Sequence, residues 1–197
     1  GRDQLDAGLT RLLDGMSRVA MEYSPNGAIP YLSRVDAGTA EAIRGRGIEI
    51  VSSGDLVQQF EAAWTPAQLA THRAASDSLY RIKDQAFSAA AKAVRAGRAL
   101  TEYDLQMQMV GWFAEEGLVS DSAPVVAVDA NAGNPHYLPT AERSSAITTD
   151  QVLLLDLWAG ITVDAVYADQ TWMCYTGAAV PAEVQKVWTI VRDARDQ

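Results

Sequence analysis

The stretch DLWAGITVDAVYADQTW, residues 156–172, decides the fold because it places two aspartates within runs that otherwise resemble buried β-strands. We predict an antiparallel hairpin of residues 151–159 and 166–176 that turns around GITVD. In the register centred on that turn, Asp156 lies directly opposite Asp169. Cross-strand partners share one face of a sheet. We therefore expect the two carboxylates to occupy one enclosed setting.

Directly opposed residues have Cβ atoms roughly 4.5–5.5 Å apart, and two negative charges this close need a neutralising interaction. Three outcomes are open. The pair can share a proton, form an ion pair with a Lys or Arg from elsewhere in the fold, or bind a cation. Neither predicted strand contains Lys or Arg. In a fourth interpretation, one aspartate lies at the turn edge and the other bonds to backbone groups. Paired carboxylates that bridge two metal ions activate water for hydrolysis.

The remainder of the chain predicts an α/β (α+β) fold with two regions. Residues 1–63 alternate helices and short strands, which indicates an α/β layer. Residues 64–197 begin with a long alanine-rich helix capped by Thr65 and Pro66. A shorter helix follows, and Thr101 with Asp104 is a weak variant of a capping box at its start. The strands and a last helix that starts at Pro181 come next.

His136 is the second candidate site residue, in the turn-rich stretch DANAGNPHYLPT between two predicted strands. Its imidazole can donate a hydrogen bond to a substrate carbonyl or stabilise an oxyanion. It can equally serve only to hold its own loop, and the sequence does not decide between these roles. For His72, early in the long helix, we expect a packing or solvated role.

Composition limits the classes of partner. The net charge of −9 disfavours nucleic acid, because no basic stripe is present to contact phosphates. The single cysteine, Cys174, rules out an internal disulfide and fits a reducing cytoplasm, where we expect it to be a buried, unreactive thiol. No apolar stretch approaches about 18 residues and no signal peptide is recognisable, so we expect neither a membrane span nor export.

The succession EYSP, RVDAG, a long helix, GNPHY, LLLDLWAG and YADQTW resembles the pita-bread metallopeptidases, and the resemblance is strongest over residues 124–171. This group includes Xaa-Pro aminopeptidases, prolidases, methionine aminopeptidases and creatinases. The resemblance implies that Asp156 chelates one metal ion, Asp169 bridges two, and His136 faces the substrate. The implied cofactors are two divalent ions, of Mn, Co, Zn or Fe. The gap between the aspartates is slightly longer than the family's, which implies a larger hairpin loop.

By the same resemblance, residues 1–63 are the C-terminal part of an N-terminal α/β domain, and residues 64–197 are the first half of the catalytic domain. The implied activity is a dinuclear metallo-exopeptidase that cleaves Xaa-Pro bonds of a peptide or dipeptide with a metal-activated water. A homodimer is implied because the N-terminal domain often covers a neighbouring subunit's site. Two alternatives stay open: a metal-free, creatinase-like hydrolase of small C–N bonds, and a non-catalytic module with the same fold.

The family completes its metal site with a later histidine and two glutamates, and no histidine follows His136 in this sequence. We therefore expect a fragment whose partner is the remaining half of the catalytic domain, rather than a degenerate relative. An apolar stripe on the last helix supports this expectation, because it needs a partner surface: Val184, Val187, Trp188 and Val191.

Overall fold

The computed structural model describes residues 2–197 and divides into two compact units, one ending at Trp64 and the other spanning Thr65–Gln197. The first unit contains helices α1 (Arg2–Leu12), α2 (Ala37–Arg44) and α3 (Gly54–Glu61) and strands β1 (Arg18–Met21) and β2 (Glu49–Ser52). β1 and β2 pair in parallel. Helix α2 connects them, as a parallel pair requires a crossover connection.

The second unit contains three helices and three strands: α4 (Pro66–Arg95), α5 (Glu102–Glu115), β3 (Val125–Val128), β4 (Val152–Ala159), β5 (Ala168–Tyr175) and α6 (Ala182–Asp196). The predicted start of α4 is confirmed, since Thr65 and Gln68 form a capping box. The weaker pattern at Thr101 and Asp104 also forms one, at the start of α5. Each box satisfies backbone N–H groups that the first helical turn leaves unpaired.

The three strands form an antiparallel sheet in the order β3, β4, β5. Helices α4 and α5 pack on one face of it, which we call the back face. Alternate strand residues point into this contact, and they include Val126, Leu153, Leu155 and Leu157, each fully buried. The back face and the two helices form the hydrophobic core of the unit, so the other face of the sheet is free to carry functional side chains.

Helix α6 has no buried residue. Its predicted stripe is confirmed as an exposed apolar surface, with 61% of Val187 and 63% of Val191 accessible to solvent. A contiguous apolar surface of this kind is uncommon on a monomer. No helix in the described part of the chain is both long enough and apolar enough to cross a bilayer.

Candidate metal centre

The hairpin of β4 and β5 forms, but the predicted register is wrong. Asp156 pairs with Thr171, and Asp169 pairs with Trp158. The connection is longer than GITVD, because β5 begins only at Ala168. A shift of two residues preserves the alternation of side chains, so both aspartates remain on one face. The two aspartates are diagonal neighbours, so their Cα atoms lie roughly 7–8 Å apart, farther than those of a directly opposed pair.

The expectation of an enclosed setting is also wrong for this chain. Asp169 and Thr171 are exposed and Asp156 is half-buried. The reason is that both packed helices lie on the back face of the sheet. We call the opposite face, which carries Asp156, Trp158, Asp169 and Thr171, the front face. Its two carboxylates are open to an incoming ligand or to another protein surface.

The two aspartates have different surroundings. Thr171 Oγ1 donates a 2.8 Å hydrogen bond to Asp156 Oδ1, which orients that carboxylate. Partial desolvation of the Asp169 carboxyl group, followed by repulsion from Asp156, raises the pKa of Asp169 above its usual value. Among the ion pairs of described residues, none includes either aspartate. The ion-pair outcome is therefore not observed, and the mutual repulsion remains uncompensated.

This repulsion can be tested in the metal-free protein. Asp156→Asn should lower the pKa of Asp169 but leave it above the ordinary value, because desolvation is the larger cause and persists. A pH titration of the Asp169 side-chain carbon by NMR measures the shift. The exposed loop substitution Asp164→Asn should leave the Asp169 titration unchanged. A pKa unaltered by Asp156→Asn would mean that the two carboxylates do not interact.

The sign of the stability effect follows from the raised pKa. The contribution of Asp169 to stability is fully present below its unfolded-state pKa and is lost as the pH rises through its folded-state pKa. Deprotonated Asp169 therefore opposes folding unless a cation compensates it. Divalent metal should stabilise the protein above that pKa and lose its effect below it.

The donor set of the front face fits a hard divalent cation in part. Carboxylate oxygens are the preferred ligands of such ions. Within the described part of the chain, however, no three His, Cys, Asp or Glu side chains come close enough to form a metal site. Asp156 and Asp169 can supply only part of a shell of about six ligands. Beside them, Trp158 is held in place because its Nε1 donates to Asp121 Oδ1 at 2.8 Å.

His136 lies on a long loop, residues 129–151, that connects β3 to β4. Its backbone N–H donates to Asn134 Oδ1 at 3.0 Å, and its imidazole is exposed. The loop surrounds an open depression of about 580 Å³ lined by Asn131, Asn134, His136, Tyr137, Glu142, Arg143, Ser144 and Ser145. Neither aspartate lines it. The structure thus brings the two aspartates together but leaves His136 on a separate element.

The most fully bonded side chain near this loop is Glu102, which the sequence analysis missed. It is the first residue of α5 and is completely buried. Its carboxylate accepts hydrogen bonds from the backbone N–H groups of Val128 and Ser145, the Asn131 amide and the Tyr137 hydroxyl. An acidic residue in a first helical turn is ordinary. No local pattern distinguished it, because its partners lie 26 to 43 residues away in sequence.

Two other predictions concern residues outside the centre. His72 Nδ1 lies 2.9 Å from the Tyr167 carbonyl oxygen, so the tautomer protonated there donates a bond from α4 to the hairpin loop. This is the packing role predicted for it. Cys174 is half-buried rather than buried, and this partial burial raises the pKa of its thiol to about 11, which keeps it protonated and poorly nucleophilic.

Comparison with known proteins gives one family and many similar folds. No curated protein matches the chain by sequence. The structure is similar to an X-prolyl aminopeptidase from Caenorhabditis elegans, described as a cytosolic enzyme with a di-nuclear active site (20% identity, 92% of this chain, 27% of that chain, TM-score 0.61). It is also similar to an X-Pro aminopeptidase from Thermotoga maritima (19% identity, 98% of this chain, 49% of that chain, TM-score 0.53). A third similar structure is a prolidase from Pyrococcus horikoshii (16% identity, 98% of this chain, 50% of that chain, TM-score 0.55).

These solved structures share the mixed α/β fold, and this chain spans about half of their length or less. Their fold agrees with the resemblance to the pita-bread metallopeptidases. The model of metallopeptidase family M24 matches residues 77–197, more than half of the chain, including both aspartates and His136. The chain therefore belongs to metallopeptidase family M24.

Proposed function

We propose that the natural full-length protein is a metallo-exopeptidase that hydrolyses Xaa-Pro bonds, with two divalent ions held in part by Asp156 and Asp169. The observation that carries this proposal is the pair of carboxylates on the front face, which repel each other and form no ion pair with the described residues. Membership of family M24 and the similarity to Xaa-Pro peptidases support it.

Each residue has a role that its surroundings suit. Asp156, oriented by Thr171, would hold one ion, and the more exposed Asp169 would be a ligand to both. Two divalent ions in this position would activate a water molecule for attack on a peptide carbonyl. The exposed imidazole of His136 is free to donate a hydrogen bond to the substrate carbonyl, since its side chain is not buried in its own loop.

The described residues bring only two carboxylates together, so a complete metal centre needs further ligands from a partner. We propose that the remaining half of the catalytic domain supplies them, covers the front face and packs on the apolar stripe of α6. In the same proposal, residues 1–63 are the end of an N-terminal domain, residues 64–197 are the first half of the catalytic domain, and the protein is a cytoplasmic homodimer. The substrate is a peptide or dipeptide, and Mn, Co and Zn are all candidate metals.

Metal content and activity test the function together. The full-length protein should contain about two divalent ions per chain and should cleave an Xaa-Pro dipeptide or peptide but not the matching Xaa-Ala compound. Chelation should abolish cleavage, and added Mn²⁺ or Co²⁺ should restore it. Hydrolysis that persists without metal would favour the creatinase-like alternative, and bound metal without hydrolysis would favour a binding module.

A substitution of His136 separates its two possible roles. If the imidazole stabilises the transition state, His136→Ala should lower kcat roughly 10²-fold while the metal content stays constant, since an oxyanion donor contributes about this factor. Steady-state kinetics and metal analysis of the full-length protein measure both quantities.

A matched control changes the same loop without removing a polar group. Leu138→Ala, at a side chain that is 42% exposed, should leave kcat within about twofold of wild type. If His136→Ala instead lowered only the melting temperature and kept kcat, its role would be to hold the loop.

A further inference from the structure

The loop that carries His136 is anchored at its two ends and at its middle. Where the two ends of the loop meet, the backbone N–H of Asp129 donates to the Val152 carbonyl, and Asp129 Oδ1 accepts from the Val152 N–H, both at 3.0 Å. Its returning limb runs beside the α4–α5 connection, where the Glu102 N–H donates to the Ser145 carbonyl at 2.9 Å. These contacts secure the ends of the loop. Further along, the Asn131 amide donates to Ser145 Oγ at 3.1 Å, and the other bonds between the two limbs converge on one side chain.

That side chain is Glu102. Its Oε1 accepts from the Val128 N–H at 2.7 Å, at the end of β3, and from the Asn131 amide at 2.9 Å. Its Oε2 accepts from the Ser145 N–H at 2.6 Å and from the Tyr137 hydroxyl at 2.5 Å. One carboxylate therefore connects the strand, both limbs of the loop and the residue directly after His136.

The chemistry of the site requires a carboxylate. All four partners donate, and burial of such donors without acceptors is costly. Burial raises the pKa of the Tyr137 hydroxyl to about 12, and the hydrogen bond to Glu102 and the negative charge of Glu102 contribute to this shift. The Tyr137 hydroxyl therefore stays protonated and continues to donate. An amide in place of the carboxylate would turn an NH₂ group toward two of these donors. Glutamine matches glutamate in size but cannot satisfy the loop.

We infer that Glu102 is a positioning residue that fixes the loop at residues 129–145 and, through Tyr137, places His136 for its encounter with substrate. The contribution to catalysis rests on the proposed function of His136, whereas the fixing of the loop does not. Glu102 itself is fully buried and touches no reacting group.

Two variants and one control test this inference in the full-length protein. Glu102→Gln removes the acceptor at one oxygen, and Tyr137→Phe removes only the donor next to His136. The control is Gln106→Leu, one turn further along α5, where the buried Gln106 amide donates to the Pro124 carbonyl at 2.8 Å. Gln106→Leu should lower the melting temperature without altering the loop, so it reports on the general cost of a lost buried hydrogen bond.

The first measurement is amide hydrogen exchange, which does not depend on activity. Glu102→Gln should accelerate exchange across residues 129–145 about tenfold or more, Tyr137→Phe should do so less, and Gln106→Leu should not. Unchanged protection of the loop in Glu102→Gln would overturn the inference. If Glu102→Gln does not fold, unchanged protection in Tyr137→Phe overturns it in the same way. If the full-length protein lacked peptidase activity, the proposed function would be refuted. Hydrogen exchange would still decide whether Glu102 fixes the loop, because it does not depend on activity.

The second measurement is a double-mutant cycle on kcat. Glu102→Gln should lower kcat roughly 10-fold to 100-fold with metal content unchanged, the effect expected of a residue that orients another. In the His136→Ala background the same substitution should cause little further loss, because the group that it positions is absent. An equal loss in both backgrounds would show that Glu102 contributes only general stability, and would overturn its role as a positioning residue.

Discussion

Asp169→Asn is expected to lower the hydrolysis of an Xaa-Pro peptide by the full-length protein roughly 10³-fold or more, because in the proposed site it would remove a ligand shared by both ions and several kcal/mol of transition-state stabilisation. The fold should be retained. Asp169 is exposed and its charge is repelled by Asp156, so the neutral amide removes an unfavourable interaction from the metal-free protein. The measurements are kcat/KM, bound metal by elemental analysis, and circular dichroism.

The control for this substitution is Asp164→Asn, an identical chemical change five residues earlier in the exposed hairpin loop. It should keep both metal and activity, since Asp164 lies in the connection between β4 and β5, outside the strands that carry Asp156 and Asp169. Full activity and full metal content in Asp169→Asn would refute the assignment of Asp169 as a ligand. Loss of metal together with loss of helical signal would instead point to a role in folding.

The second large effect concerns the 197 residues on their own, which should have no measurable Xaa-Pro peptidase activity. The described residues bring together only two carboxylates, so divalent metal should bind weakly and exchange readily. The exposed valines of α6 should also cause self-association. Addition of the proposed remaining half of the catalytic domain as a separate polypeptide should restore metal affinity, solubility and turnover.

Three measurements check this expectation: titration of the isolated chain with Mn²⁺ by calorimetry, its sedimentation behaviour, and its activity with and without the second polypeptide. A useful control is Val187→Lys with Val191→Lys, which should reduce self-association because it interrupts the stripe on α6. Rapid metal-dependent turnover by the isolated chain would show that the site is complete without further ligands.

Local chemistry in the sequence was sufficient for the helix starts and for the placement of both aspartates on one face. Thr65 with Pro66, and Thr101 with Asp104, predicted helix starts that the structure confirms, because a cap acts within a single turn. The period of two along a strand places every second residue from Leu153 to Ala159 on the buried face, opposite Asp156. The same period kept Asp156 and Asp169 on one face even though their pairing was predicted wrongly.

Tertiary structure alone decided the register, the exposure and the anchoring of the loop. The register depends on how many residues the hairpin loop takes up, and GITVD does not specify this number. The exposure of Asp169 depends on which face the helices cover, which is set by packing between distant segments. Glu102 looks like an ordinary first-turn acid in the sequence. Its role arises only because folding brings Val128, Asn131, Tyr137 and Ser145 to one buried carboxylate, and hydrogen bonds across such sequence separations leave no periodic pattern.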